Sequence, residues 1–181
     1  MPYSLKISVI LLFMLVGMML SIPLAIPPQP IHVSMPKIDV KQITCMAKNI
    51  FYEAAGEPIL GQAAVARVVL NRVNHGFAKT PCNVIYQTTT LEKETDGEPE
   101  VVKVCQFSWV CADRPDPNKH SPDYVLAKQI AYDVMVNDAY KEVIPRTALF
   151  FHNLSITPSW SYVMAKQIGN HIFYAKSQSG T

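Results

Sequence analysis

Apolar side chains recur with a helical period over residues 40–54, where Val40, Ile43, Ala47, Ile50 and Phe51 fall on one side. Asp39 stands where an N-cap is needed, and Gly56 supplies a stop signal after the last turn. A second helix is predicted from Glu57-Pro58 to about Val73. Proline suits a first helical turn, and the acid lies at the positive end of the helix dipole. Ala63, Ala64, Val65, Val68 and Val69 make this second helix apolar on most of its surface, which predicts burial. Asn74-His75-Gly76 ends it.

Further along, residues 84–86 are a short apolar segment, and residues 88–103 are rich in charged and polar side chains. A turn at Gly97-Glu98-Pro99 makes that stretch a surface excursion, with Val101, Val102 and Val104 on a returning hairpin strand. Gln106-Phe107-Ser108-Trp109 precedes a proline-rich loop. A third helix is predicted over residues 122–138, with Ser121 as its cap. Residues 147–151 read as a strand that enters a His152-Asn153 loop, and a last hairpin spans residues 162–174 around Gly169-Asn170. Helices dominate and strands are short, so the fold class is α+β rather than a parallel α/β sheet.

The N-terminal pattern is different. Residues 7–26 carry no charge, and Lys6 is the only charged side chain before them. Residues 1–26 therefore read as a signal anchor or a cleaved signal peptide; the long apolar run favours an anchor, and Pro23-Leu24-Ala25 is a poor cleavage site. Residues 27–39 form a proline-rich tether, and residues 40–181 are one globular domain. Either reading exports the domain, membrane-anchored and facing periplasm or cell wall, or secreted.

Composition narrows the chemistry. Without Lys6, fifteen Lys and Arg face fourteen Asp and Glu, which argues against bulk capture of nucleic acid. Cys45, Cys82, Cys105 and Cys111 give an even count in an exported domain, which favours disulfides over zinc; three pairings are open, and Cys45 could instead be a buried free thiol. No metal site and no cofactor are expected, since neither a His-Glu-x-x-His motif nor a phosphate loop is present.

Glu53 is the candidate catalytic residue. It closes an apolar helix beside Phe51, Tyr52 and Ala54, where two helices meet. Ionising a carboxyl in such company is costly, so its pKa should rise toward that of a general acid. An ordinary solvated helix-end carboxylate is the alternative. Glu57 is explained by the helix start and Gly56 by the turn, so both are structural residues near the site. If residues 106–109 are extended, Gln106 and Ser108 share one face and could line a groove, with an exposed Phe107 or Trp109 stacking on sugar. Asn153 could hold substrate or simply make a turn. Tyr52 and Tyr174 are weaker binding candidates.

Several linked stretches carry a resemblance: Tyr52-Glu53-Ala54-x-Gly56-Glu57-Pro58-x-x-Gly61-Gln62, running on to Leu70-Asn71-Arg72-Val73; Cys82-Asn83-Val84-Ile85-Tyr86-Gln87; Cys105-Gln106-Phe107-Ser108-Trp109; Ala148-Leu149-Phe150-Phe151-His152-Asn153; and Ile168-Gly169-Asn170-His171-Ile172-Phe173-Tyr174. In this order they resemble the cell-wall hydrolase family that includes the spore cortex-lytic enzymes. The resemblance spans about residues 43–175. It implies a lysozyme-like α+β fold acting on peptidoglycan glycan strands, related to lytic transglycosylases that cut the β-1,4 bond from N-acetylmuramic acid to N-acetylglucosamine. It implies Glu53 as a lone acid and base, so that no second carboxylate is needed to activate water. A hydrolytic muramidase or glucosaminidase, an amidase or endopeptidase, and a non-catalytic wall-binding module are the alternatives. The insertion at residues 88–103 and the extra cysteines depart from the simplest family pattern.

Overall fold

In the computed structural model, which describes residues 39–95 and 98–176, the Asp39 carboxylate accepts from the backbone N–H groups of Lys41 (3.0 Å) and Gln42 (3.3 Å) and starts α1 (Val40–Ala54). The apolar segment at residues 7–26 and nearly all of the tether lie outside the described residues, as do Asp96 and Gly97. No helix among the described residues is long and apolar enough to cross a membrane.

After a turn through Gly56, α2 (Ile59–Asn74) begins with Pro58 at its N-cap. It ends at Gly76, whose φ of +77° lets the N–H groups of Gly76 and Phe77 reach the carbonyls of Val73 and Arg72, each at 3.0 Å. Thr80 caps the short α3 (Pro81–Ile85). β1 (Thr88–Thr95) and β2 (Glu98–Cys105) pair antiparallel from Thr88 opposite Cys105 to Thr95 opposite Glu98, the hairpin expected there. α4 (Ser108–Cys111) follows, and then α5 (Pro122–Met135), capped by Ser121 as expected. β3 (Ala148–Asn153), β4 (Val163–Ile168) and β5 (His171–Ala175) form an antiparallel sheet in the order β3-β5-β4.

α2 is the centre. Ala63, Ala64, Val65, Ala66, Val68 and Val69 are completely buried, so the helix is covered on almost every side. One apolar cluster joins it to α1, α3, α4 and α5; a second joins Ala64, Val65 and Val68 to Ala148 of β3 and Phe173 of β5. Each buried valine contributes about 1.5–3 kcal/mol. The polar residues of α2 then bond backbone carbonyls. Asn71 Nδ2 donates to Pro145 O (3.0 Å) and Ala148 O (2.9 Å), Arg72 Nε to Leu149 O (2.7 Å), and Arg67 to Ala139 O.

The sequence expectation needs four corrections. Strands are more prominent than a mainly helical fold implies, with β1 and β2 eight residues each. α5 stops at Met135 instead of Asp138, because Arg67 pairs with Asp138 (2.9 Å) and holds the chain where Asp138 and Tyr140 take φ of 49° and 58°. Residues 106–109 are not a strand: the chain turns helical at Ser108. His152 and Asn153 are not in a loop; they extend β3, opposite Ile172 and His171.

Cysteine pairing is now specified as Cys45–Cys82, which ties α1 to α3, and Cys105–Cys111, which joins the last residue of β2 to the last residue of α4. Cys45 and Cys82 are only 7% and 6% exposed, whereas Cys111 is open to solvent. A thiol reductant without denaturant should therefore open Cys105–Cys111 first, releasing two alkylatable thiols. The buried bridge spans 37 residues against 6 for the other, so replacing Cys45 and Cys82 by serine should cost more stability, about 3–4 kcal/mol in denaturant unfolding. Equal reactivity of the two bridges would contradict this.

The two turn glycines should also separate. Gly169 has φ +57°, and a Cβ there would come within 2.0 Å of Glu57 Oε2, so Gly169→Ala should destabilise by about 2–4 kcal/mol. Gly56 has neither a left-handed φ nor any atom within 4 Å of an added Cβ. Gly56 sits in the turn after α1 without needing to be glycine, and Gly56→Ala should be neutral or slightly stabilising in the same thermal unfolding assay.

Candidate active site

The last turn of α1 points Glu53 into a cavity of about 200 Å³. Arg72 enters from α2, Gln106, Phe107 and Ser108 from the junction of β2 and α4, Phe150 and Phe151 from β3, and Trp160 from the β3–β4 connection. Burial pushes the Glu53 carboxyl up to about 7, while the Arg72 and Arg114 cations pull it down. Desolvation wins, as expected for a carboxyl facing three phenylalanine rings. Among the described residues, Glu53 is the one carboxylate lining this cavity.

Arg72 is the unusual neighbour. Its guanidinium lies 5.3 Å from the Phe107 ring centre, 5.7 Å from Phe150 and 5.9 Å from Phe77. Nε is fixed to Leu149 O, and Nη1 is buried with no protein partner among the described residues. Burial lowers the Arg72 pKa to about 10, opposed by Glu53, so the cation persists at neutral pH.

Gln106 and Ser108 reach the cavity as expected, and both are exposed. The aromatic partner differs from the expectation. Phe107 and Trp109 are both buried; Trp109 Nε1 donates to Asn49 Oδ1 (3.0 Å) and its ring stacks on Tyr52 at 4.6 Å. Tyr52, whose hydroxyl donates to Pro115 O, packs on this tryptophan and does not line the cavity.

Asn153 and Tyr174 also lie outside the cavity lining. Asn153 Oδ1 accepts from Ser155 N (3.0 Å), the turn role considered for it. The Tyr174 hydroxyl is bonded to His152 Nε2 (2.9 Å), and the two rings stack. Glu57 is fully committed elsewhere. Its Oε2 accepts from Asn170 N (2.9 Å) and its Oε1 lies 3.8 Å from His171 Nδ1, with side chains only 7% and 6% exposed. Burial pulls the His171 pKa down, and the Glu57 charge opposes that shift.

Sequence reasoning missed Arg72, Phe150, Phe151 and Trp160 as cavity residues. A cation inside an otherwise apolar helix was a usable signal for Arg72, because a buried guanidinium requires partners. Trp160 lies in a connection without periodicity and gave none. A larger hollow of about 390 Å³ shares no lining residue with the Glu53 cavity; its one carboxylate, Asp138, is exposed and paired with Arg67. No group of three or more His, Cys, Asp or Glu converges on a metal position among the described residues.

Residues 56–174 match the family described as Cell Wall Hydrolase. Similar relatives include the spore cortex-lytic enzyme of Oceanobacillus iheyensis, 31% identical over 148 residues, covering 76% of this chain and 45% of the relative. Another is the spore cortex-lytic enzyme of Bacillus cereus, 30% identical over 152 residues, covering 81% of this chain and 49% of the relative. The chain thus spans just under half the length of these curated relatives. Among solved structures, the catalytic domain of the germination-specific lytic transglycosylase SleB from Bacillus anthracis is similar at a TM-score of 0.51 and 27% identity, over 76% of this chain and 97% of that domain. The family match covers well over half of the chain and takes in every residue lining the cavity except Glu53, which lies three residues before it; the chain belongs to the cell wall hydrolase family.

Proposed function

We propose that the domain cleaves peptidoglycan glycan strands as a lytic transglycosylase, with Glu53 as both acid and base. The observation that carries this reading is the half-buried Glu53 carboxyl, raised to about 7, in a cavity where no second carboxylate stands among the described residues. Glycosidases that deliver water or a carboxylate nucleophile use a pair of acids. A single acid suffices when the substrate supplies its own nucleophile. Protonated Glu53 gives its proton to the bridging oxygen, the bond from the muramyl C1 to that oxygen breaks, and positive charge develops on the muramyl ring. The resulting Glu53 carboxylate then takes the proton of the muramyl 6-hydroxyl as that oxygen bonds C1 and closes an anhydro ring. Both protons and the leaving oxygen are accounted for, and Glu53 ends protonated.

Glu57 does not supply a second acid in this scheme, because its carboxylate accepts from the Asn170 backbone. All four cysteines are in disulfides, so none is available as a thiolate nucleophile. The relatives are named as cortex-lytic enzymes and the similar domain as a lytic transglycosylase, which supports the reading. The disulfides support an oxidising compartment. Residues 7–26 are proposed as the segment that carries the domain there and tethers it to, or releases it from, the membrane.

Glu53→Gln should leave thermal unfolding cooperative and lower wall-lytic activity by about a thousandfold or more. Product masses distinguish the two sugar-cleaving readings: anhydro-muramyl ends follow from the proposed reaction, and reducing ends from hydrolysis. Wild-type levels of lysis by Glu53→Gln would sink the assignment.

The pH dependence has a defined sign. The reactive form carries the proton, so kcat/KM should decline above about pH 7, approaching about tenfold per unit. Arg72→Met removes a cation that pulls Glu53 down, so the alkaline limb should move to higher pH. A limb that stays in place would show that Arg72 does not act on Glu53.

A further inference from the structure

The chain has two tryptophans, and their surroundings differ. Trp109 is 9% exposed, with its N–H used by Asn49 and its ring covered by Tyr52 and Tyr86. Trp160 remains 40% exposed while lining the Glu53 cavity. Its exposure is not looseness. Tyr162 lies 5.5 Å from it, His152 6.1 Å, Phe150 6.2 Å and Tyr174 6.3 Å, measured between ring centres. Those rings are themselves fixed: Phe150 stacks on Tyr162 at 4.3 Å and 16°, and His152 is bonded to Tyr174.

We propose that Trp160 is a stacking platform for one N-acetylhexosamine ring of the glycan strand, with Gln106 and Ser108 meeting the polar rim of that sugar. This rests on the glycan-cleaving reading above. A pyranose is amphipathic, with C–H groups on a face and hydroxyl and amide groups around its edge. The cavity is amphipathic in the corresponding way, aromatic on the side of β3 and Trp160 and polar at Gln106 and Ser108. The backing rings hold the indole before ligand arrives, so little side-chain entropy remains to be lost on binding. The sequence placed the sugar-stacking aromatic at residue 107 or 109; the fold buries both and presents Trp160 to the same amide and hydroxyl pair.

The test uses the full chain carrying Glu53→Gln, titrated with peptide-free soluble murein glycan oligomers while tryptophan emission is followed. A saturable change is expected, because the exposed indole becomes covered while Trp109 stays buried. Trp160→Ala in the same background should abolish it. In the otherwise native enzyme, Trp160→Ala should raise KM about tenfold with kcat changed far less, and Trp160→Phe should recover most of the loss. The emission titration needs no change at residue 160, so it decides the matter even if Trp160→Ala fails to fold. Unchanged emission at saturating glycan, or a response to free stem peptides in place of glycan, would overturn the platform. If Glu53→Gln still cuts wall but the emission responds, the acid assignment falls and the platform stands; a dead variant with silent emission gives the reverse.

Discussion

A helix buried over most of its length leaves the polar groups there only protein to bond, and α2 is built under that constraint from Gly61 to Arg72. Gln62, Arg67, Asn71 and Arg72 are buried beside a run of alanines and valines. Each donates at least once to a backbone carbonyl, those of Glu57, Ala139, Pro145, Ala148 and Leu149, while Arg67 Nε and Arg72 Nη1 are left without a partner among the described residues. Leaving one such group unpaired costs about 1–3 kcal/mol, comparable with burying a valine. The bonds therefore locate the connector after α5 and the first half of β3. Phe150 and Phe151, which wall the cavity, follow directly along that strand. The site inherits its position from the way α2 satisfies its own polar side chains.

Two glutamates four residues apart show how far environment governs one side chain. Glu57 begins the approach to α2 and turns to the β4–β5 turn, where the Asn170 N–H stabilises it as an acceptor. Gly169 has to be glycine there, both for its positive φ and because the carboxylate occupies the space a Cβ would need. Glu53 meets aromatic rings and two more distant cations instead. The first glutamate fastens the small sheet to the start of α2, and the second is left as a chemically available acid.

The long elements were legible because their signals are repetitive and local. Periodicity located α1, α2 and α5, and the Asp39 and Ser121 caps act as their positions suggested. Short segments were not. Gln106-Phe107-Ser108-Trp109 alternates like a strand, yet the Cys105–Cys111 bridge and the Trp109–Asn49 bond fold it into a turn of helix. Gln106 and Ser108 both line the cavity all the same, although Ser108 already belongs to the helical turn and the extended alternation does not apply. His152 and Asn153 looked like a loop because they are polar, but pairing with β5 satisfies their backbone and continues the strand. Trp160 could not be placed at all from its Ser- and Pro-containing surroundings, since its partners come from β3, β5 and its own connection.

The electrostatics of the cavity explain why one acid is a consistent solution. Against an ordinary value of 4.5, a pKa of about 7 means that burial outweighs both arginines by about 3 kcal/mol. Without Arg72, the carboxylate left after proton donation would face four aromatic rings, with Gln106, Ser108 and the Arg114 charge as its remaining polar company, and returning the proton would be more strongly favoured. With Arg72 held over those rings by Leu149, the ionised form is supported where it is produced. A value near neutrality keeps both forms within reach, which the proposed acid step and base step each require. A second carboxylate in the same cavity would work against this balance. It would raise Glu53 further, compete for Arg72, and leave the deprotonated intermediate with two buried negative charges and one nearby cation. A solitary glutamate among the described lining residues fits this arrangement of rings and arginine, and the proposed reaction, whose nucleophile comes from the substrate, asks for no second one.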